Sequence, residues 1–299
     1  MLSSRVVRAA CLAAGCALAL RAFPASGAPP SPAIVAVAAE NVYGDIVSQI
    51  AGDHVRVTSI ISDPNVDPHE YEITPRDAAA VANARLVIQN GLGYDAFIDR
   101  LVAASPNPQR TLIVVSELTG HVTGDNVHLW YDPAAIPKVA QAVLDALVRI
   151  DPGSATSYSN RYKAFQASLA PLNRAIAAIN AQYGGAPVAC TEPVFGYMAA
   201  ALGLRVLTPL SFQKAIEDGE DPPASALAQM EDQLRQHRVK VVLYNTQTVS
   251  PITTRVQQLA KTEGIPVVGV SETEPPGRPF QQWMLDQLEQ LRLALGQRQ

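Results

Sequence analysis

Residues 154–183 read SATSYSNRYKAFQASLAPLNRAIAAINAQY, and the fold is best understood outward from this stretch. Its apolar residues recur at alternating spacings of three and four from Tyr158 to Tyr183. This period is typical of an amphipathic helix, here roughly 30 residues and on the order of 45 Å long. Pro171 lies inside the pattern, and we expect it to kink or break the helix. A coiled coil is the alternative, but the repeat is short, which favours a helix that lies against two lobes.

Short β-rich runs lie on both sides of this helix. Most are continuously apolar, without the polar alternation of half-exposed strands, which is typical of parallel strands covered on both faces. Because helical patterns separate them, the alternation predicts α/β lobes with parallel sheets. The predicted strands span residues 34–39, 55–61, 86–90, 112–116, 187–191, 205–210, 239–245 and 265–270. The predicted helices of the lobes span residues 41–51, 75–84, 132–150, 194–202, 224–236 and 251–261.

The pattern as a whole predicts two α/β lobes, each with a four-stranded, mostly parallel sheet flanked by helices, bridged by one long helix. We assign residues 1–28 to a signal peptide, 29–152 to the N-terminal lobe, 153–184 to the linking helix and 185–299 to the C-terminal lobe. A chain of 299 residues is long enough for this organisation.

The first residues have the order of an export signal. Arg5 and Arg8 precede an apolar run at residues 9–20, and small residues follow it up to Ala28. We therefore expect cleavage near Ala28 and an exported protein, periplasmic or associated with the cell envelope. The alternative is lipid anchoring through Cys16, but the apolar run continues past this cysteine, which favours simple cleavage.

Composition excludes several classes of protein. Apolar residues make up 48% and charged residues 17%, an ordinary globular mixture that excludes disorder, collagen and coiled coil as descriptions of the whole chain. The net charge of −4 argues against a dedicated nucleic-acid binder, which usually has a basic face. The 3 cysteines are too few for a disulfide framework.

Four polar side chains follow predicted strands, where open parallel sheets collect their ligands. His69 and His128 follow strands of the first lobe, and Glu192 and Glu272 follow strands of the second. Two neutral imidazoles and two carboxylates supply four nitrogen and oxygen donors, and their charge balances a divalent cation. Their spacing alone does not establish a metal site, because ligands so far apart in the chain form no local motif.

Four ordered motifs carry a resemblance to a known family. They read DPNVDPHEYEITPRD (63–77), NVHLWYDP (126–133), TEPVFGYMAAALGL (191–204) and VGVSETEPPG (268–277). Together they resemble the periplasmic metal-binding proteins of zinc and manganese ABC importers, the cluster A-I solute-binding proteins. The similarity runs from about residue 34 to the C-terminus, essentially the whole mature chain.

This resemblance implies two α/β lobes bridged by one long helix. It also implies a site for one divalent transition metal ion, Zn²⁺ or Mn²⁺, that is carried as the transported ligand. The ligands that the family motifs map onto this chain are His69, His128, Glu192 and Glu272.

The chain departs from the family pattern at two places. Many zinc-specific members have a long loop rich in histidine and acidic residues, and this loop is missing here. The corresponding residues 118–125 include a single histidine, His121. The last ligand is Glu272 where Asp is usual, and Glu274 is a competing candidate for that role. Both departures leave the choice between zinc and manganese open.

The predicted function is an extracytoplasmic solute-binding protein that captures one metal ion in the interlobe cleft and delivers it to an ABC permease. We expect Zn²⁺ rather than Mn²⁺ as cargo, a monomer, no nucleic-acid partner and no enzymatic activity. The alternative is an exported metal-dependent hydrolase. A catalytic metal keeps a position open for water, however, whereas four side chains close the shell.

The remaining polar residues have plainer interpretations. We expect His54 and His237 to be solvated, and the acidic run at residues 217–221 to form a solvated loop. Asn245 and Gln247 end the seventh predicted strand, and we expect them to line the cleft or to hold the ligands from outside.

Overall fold

The computed structural model describes residues 34–297, which form one compact unit built on two parallel sheets. The predicted signal peptide at residues 1–28 lies outside the described residues. The strands of the first sheet are β1 (Ile34–Glu40), β2 (Val55–Ile61), β3 (Leu86–Gln89) and β4 (Thr111–Val114). Those of the second are β5 (Pro187–Cys190), β6 (Arg205–Val206), β7 (Val242–Asn245) and β8 (Val267–Val270).

The second sheet repeats the strand order of the first. The order is β2-β1-β3-β4 in one and β6-β5-β7-β8 in the other, and every neighbouring pair is parallel. The predicted fold class is thereby confirmed. The strand expected at 205–210, the second run of the second half, is limited to β6, and the next helix begins at Leu210.

Helices cover both faces of each sheet. The helices before the linking segment are α1 (Asn41–Ala51), α2 (Pro75–Asn83), α3 (Phe97–Ala104), α4 (Val115–Thr119) and α5 (Ala135–Ile150). The linking segment forms α6 (Ala155–Ser168) and α7 (Ala170–Tyr183). The helices after it are α8 (Gly196–Ala201), α9 (Leu210–Glu217), α10 (Ala224–Arg235), α11 (Pro251–Thr262) and α12 (Phe280–Leu295). The sequence analysis did not predict α3, α4, α9 and α12.

The strand β1 shows why the sheets are buried on both sides. Ala36 and Ala38 belong to the large core that packs under α1 and α5, whereas Val37 and Ala39 belong to a separate core that includes residues of α2 and α3. All four side chains are fully buried. The strand is therefore apolar at every position from Ile34 to Ala39, which is the pattern that predicted a parallel sheet.

The linking segment is helical over its length except for one break. Between α6 and α7, Leu169 ends the first helix, and Pro171 occupies the first turn of the second, where its missing N–H costs nothing. The break that Pro171 predicted is thus found. The first helix packs on α1 and α5 and the second on α12, so the segment lies against both sheets' helical layers. The lobe boundaries at 152 and 184 stay predictions.

Within residues 34–297, no helix is both long enough and apolar enough to cross a membrane.

Candidate metal centre

His69 lies on a short 3₁₀ turn, Pro68–Glu70, that follows β2. Asp67 caps this turn, because its Oδ1 accepts a hydrogen bond of 2.9 Å from the backbone N–H of His69. The histidine side chain is 24% exposed, so one edge of it faces solvent. A cavity of about 370 Å³, lined by Asp67, Gln247 and Thr248 among others, opens beside this turn. His69 is therefore the most exposed of the four predicted ligands.

His128 lies deeper and is completely buried. Its Nδ1 is 2.7 Å from Oδ1 of Asn126, which also accepts a 3.1 Å hydrogen bond from the backbone N–H of His128. Because an amide oxygen only accepts, this contact assigns a proton to Nδ1, so Nε2, which faces Oε2 of Glu272 at 3.2 Å, is the nitrogen available to a metal ion. The Nδ2 group of Asn126 donates to the carbonyl oxygen of Pro193, 2.7 Å away, next to Glu192.

Glu192 and Glu272 follow β5 and β8, and one amide group holds both. The Nδ2 atom of Asn245, the last residue of β7, donates to Oε2 of Glu192 at 2.9 Å and to Oε1 of Glu272 at 2.7 Å. Both carboxylates are almost fully buried, with 3% and 2% of each residue exposed. The hydroxyl of Tyr94 donates to the other oxygen of Glu272, Oε2, at 2.7 Å.

The Oε2 atom of Glu272 is the point where the two lobes meet. It lies 3.2 Å from Nε2 of His128 and 3.6 Å from Nε2 of His69. The structure therefore brings three of the four predicted ligands into direct contact. Glu192 reaches the group through the shared amide of Asn245, and its Oε1 has no hydrogen-bond partner among the described residues.

Opposite pKa shifts distinguish the two carboxylates. Burial raises the pKa of Glu192 to about 8, and the hydrogen bond from Asn245 only partly opposes this. Burial acts in the same direction on Glu272, but the charge and hydrogen bond of His128, followed by the charge of His69, outweigh it and lower its pKa to about 2. The carboxylate that faces the imidazoles is therefore the ionised one.

Two further acids, Asp67 and Glu217, lie at the site, and the position of Glu217 differs from the one predicted from the sequence. Donor atoms of Asp67, His69 and Glu272 lie within 4.8 Å of one another, and so do those of His69, His128 and Glu217. The sequence predicts a solvated loop at 217–221, and for Glu217 this is wrong, because the residue ends α9 and only 6% of it is exposed. The residues that follow it, 218–221, are largely exposed as expected.

The other candidates lie apart from this cluster. Glu274 faces Asp45 instead, and burial followed by that neighbouring charge raises the pKa of Glu274 to about 9. His54 and His237 both lie at the surface. His54 contacts the hydroxyl of Ser154, and His237 lies beside the carboxylate of Glu263. Asn245 and Gln247 hydrogen-bond to the predicted ligands Glu192 and Glu272, which is the position expected of them.

Comparison with known proteins agrees with this architecture. Residues 36–294 match the model of the family ZnuA, described as zinc-uptake complex component A, periplasmic. The manganese-binding lipoprotein MntA of Halalkalibacterium halodurans is 30% identical over 44% of this chain and 45% of its own. The iron-binding protein YfeA of Yersinia pestis is 26% identical over 55% of each chain.

A solved structure shares the fold. The periplasmic zinc-binding protein TroA from Treponema pallidum superposes with a TM-score of 0.76 at 19% identity, over 89% of this chain and 100% of that one. The matches to MntA and YfeA, in contrast, span only about half the length of those relatives. Since the family match covers most of the chain, the protein belongs to the ZnuA family of periplasmic metal-binding proteins, and the resemblance read from its four motifs is confirmed.

Proposed function

We propose that this protein is an extracytoplasmic solute-binding protein that captures one divalent transition metal ion and delivers it to an ABC permease for uptake. The observation that carries the proposal is the convergence of His69, His128 and Glu272 on one point, with Glu192 joined through Asn245. Each lobe supplies two of these four side chains. An ion held there ties the lobes together, which suits a protein that must hold and then release its cargo.

The donor set supports zinc as the tighter ligand. For sites made of nitrogen and oxygen, Zn²⁺ binds more tightly than Mn²⁺ in the Irving–Williams order. The buried carboxylates reduce this advantage, because oxygen donors suit Mn²⁺ as well. We therefore propose Zn²⁺ as the preferred cargo and Mn²⁺ as the competitor. The relatives named above bind zinc, manganese or iron, so family membership alone does not choose among them.

A catalytic role has less support. A catalytic metal needs an open position for water beside a general base. Here the donors face one another closely, and Asn126, Tyr94 and Asn245 already hydrogen-bond to them. We propose that the protein is not an enzyme, that it is exported, and that it acts as a monomer without a nucleic-acid partner.

Metal titration with chelator competition tests the proposal. We expect one tightly bound ion per chain in the wild type, and loss of the high-affinity step in His128→Ala and Glu272→Gln. The matched controls are His237→Ala, a surface histidine, and Glu274→Gln, a buried acid that faces Asp45. Absence of high-affinity binding in the wild type, or equal binding by the ligand variants and their controls, would contradict it.

A further inference from the structure

We propose that Glu40 is a positioning residue of the metal site. Its protonated carboxyl group donates a hydrogen bond to Asp95, and Asp95 in turn holds the backbone turn that brings Tyr94 to Glu272. This inference rests on the proposed function, because it concerns how the ligand Glu272 is held. It assigns a role to a buried acid at the end of β1 that belongs to none of the four sequence motifs.

The carboxyl groups of Glu40 and Asp95 lie together without a basic partner. Glu40 is only 2% exposed and Asp95 is completely buried. Their side chains are within hydrogen-bonding reach of each other. Among residues 34–297, no salt bridge joins either of them to Lys, Arg or His. Because carboxylate oxygens only accept hydrogen bonds, two such groups in contact share one proton.

The surroundings decide which of the two groups carries this proton. Asp95 accepts hydrogen bonds from the backbone N–H groups of Asn90 and Gly91, and such bonds stabilise a carboxylate. The oxygens of Glu40 accept no hydrogen bond from any other described residue. Burial raises the pKa of Asp95 to about 6 and that of Glu40 well above its ordinary value. At neutral pH, Asp95 is therefore the ionised acceptor and Glu40 the donor.

Asp95 closes a backbone turn that contains strained conformations. Gly91, Leu92 and Gly93 all have positive φ angles, of 85°, 60° and 88°. For Leu92 this left-handed conformation is unfavourable, because its Cβ crowds the backbone. Asp95, at the end of the turn, accepts from the two N–H groups at its start. The carboxylate thus fixes a turn that its own backbone conformation does not favour.

Tyr94 connects this turn to the metal centre. Its hydroxyl donates at 2.7 Å to Oε2 of Glu272, the oxygen that faces both histidines. The ring of Tyr94 packs edge-on against His69 and His128, with centroid distances of 5.1 and 5.9 Å. A shift of the turn therefore moves the group that holds Glu272, although Glu40 itself accepts no hydrogen bond from a ligand.

The test compares two replacements of Glu40 that have a similar size. Glu40→Gln keeps a donor for Asp95, whereas Glu40→Met fills the same space without one. Dissociation constants for Zn²⁺ are measured by chelator competition near neutral pH. We expect Glu40→Gln to bind as tightly as the wild type. We expect Glu40→Met to bind about tenfold more weakly, an effect typical of groups that hold metal ligands from outside.

The matched control is Glu231→Met, which replaces another buried acid. Glu231 lies on α10 and pairs with Arg235 and Arg255, so its loss removes buried interactions away from the metal site. This variant should bind Zn²⁺ as tightly as the wild type even where its stability is lower.

A double-mutant cycle shows whether Glu40 acts through the turn. Tyr94→Phe removes the hydroxyl that bonds to Glu272. In that background, Glu40→Met should lower the affinity less than it does in the wild type, because both changes break the same series of contacts. A role of Glu40 in overall stability alone predicts equal losses in the two backgrounds.

Four results would overturn the inference while the proposed function stands, provided that the wild type binds metal. They are wild-type affinity in Glu40→Met, an equal loss in Glu40→Gln, an equal loss in Glu231→Met, and an undiminished effect of Glu40→Met beside Tyr94→Phe. If Glu40→Met does not fold, Asp95→Asn replaces it, because an amide cannot accept from both N–H groups as a carboxylate does. Wild-type affinity in Asp95→Asn overturns the inference as well. If the wild type itself binds no metal tightly, the proposed function falls together with this inference.

Discussion

Gln247 joins the two lobes at the site, and its replacement by Glu is a sharp test of how the site is held. Its Oε1 accepts from the backbone N–H groups of Glu272 and Thr273, at 2.7 and 2.9 Å. Its Nε2 donates to the carbonyl oxygen of Val66, three residues before His69, at 2.7 Å, and to Oγ1 of Thr273 at 2.9 Å. One buried amide therefore positions ligand loops of both lobes.

The substitution Gln247→Glu keeps the shape and the acceptor but removes both donated bonds. The hydroxyl of Thr273 can rotate to donate to the new carboxylate, so its loss is small. The carbonyl of Val66 cannot, and it is left facing an acceptor. A lost hydrogen bond costs about 1 kcal/mol and an unsatisfied buried acceptor about 1–3 kcal/mol more. We therefore expect the free energy of unfolding to fall by about 2–4 kcal/mol.

Urea denaturation of the metal-free protein at pH 8 measures this change, and chelator competition measures the effect on the site. We expect metal affinity to fall about tenfold, since groups that hold metal ligands from outside typically have effects of this size. The control is Gln258→Glu, at an exposed position on α11. If Gln247→Glu is as stable as its control and binds metal equally well, the amide of Gln247 does not hold the two lobes together.

Three further predictions follow from local features. Thr74→Ala removes the capping box that Thr74 forms with Asp77 at the start of α2. We expect the free energy of unfolding, measured by chemical denaturation, to fall by about 1 kcal/mol, and an unchanged midpoint would contradict this. Burial, reinforced by the charge of Asp95, raises the pKa of Glu40 well above its ordinary value, so the folded state binds this proton more tightly than the unfolded state does. The bound proton therefore stabilises the folded state at low pH, and this stabilisation is lost as the pH rises through the raised pKa of Glu40. We therefore expect Glu40→Gln to have a higher free energy of unfolding than the wild type, by a small margin near pH 4 and a larger one near pH 8. Equal gains at both pH values would refute this. Finally, protons compete with metal for imidazole, so apparent metal affinity should fall below about pH 6 in chelator competition, and a flat profile from pH 7 to 5 would argue against two histidine ligands.

The elements that local sequence specifies were predictable, and those that depend on distant packing were not. The apolar runs of β1 and the stripe of α6 and α7 are visible in the chain itself, because burial on both faces or on one face leaves a period. The short helices α3 and α4 have too few turns for a period to be recognised. The strand predicted at 205–210 extends past β6 as far as Leu210, the first residue of α9, because Leu207 and Leu210 are apolar in either structure.

The same difference between local and long-range contacts explains which residues of the site could be predicted. His69 and His128 lie in motifs whose order along the chain could be read directly. Glu217 lies in an acidic run, and such a run looks solvated unless the burial of Glu217 beside His128 is known. Tyr94 gave no signal in a glycine-rich turn, although its hydroxyl bonds Glu272. Contacts between residues far apart in the chain need the fold before they can be recognised.

Contacts between the two lobes also hold the proposed ligands and the loops that carry them, and this accounts for a site without a local motif. Tyr94 of the first half donates to Glu272 of the second, and Asn126 donates to the backbone beside Glu192. In the opposite direction, Gln247 bonds the loop that leads to His69. None of these donors can act until both sheets have formed and packed on the linking helices. The site is consequently a property of the packed pair of lobes, so a substitution that loosens their packing should weaken metal binding even when it touches no ligand.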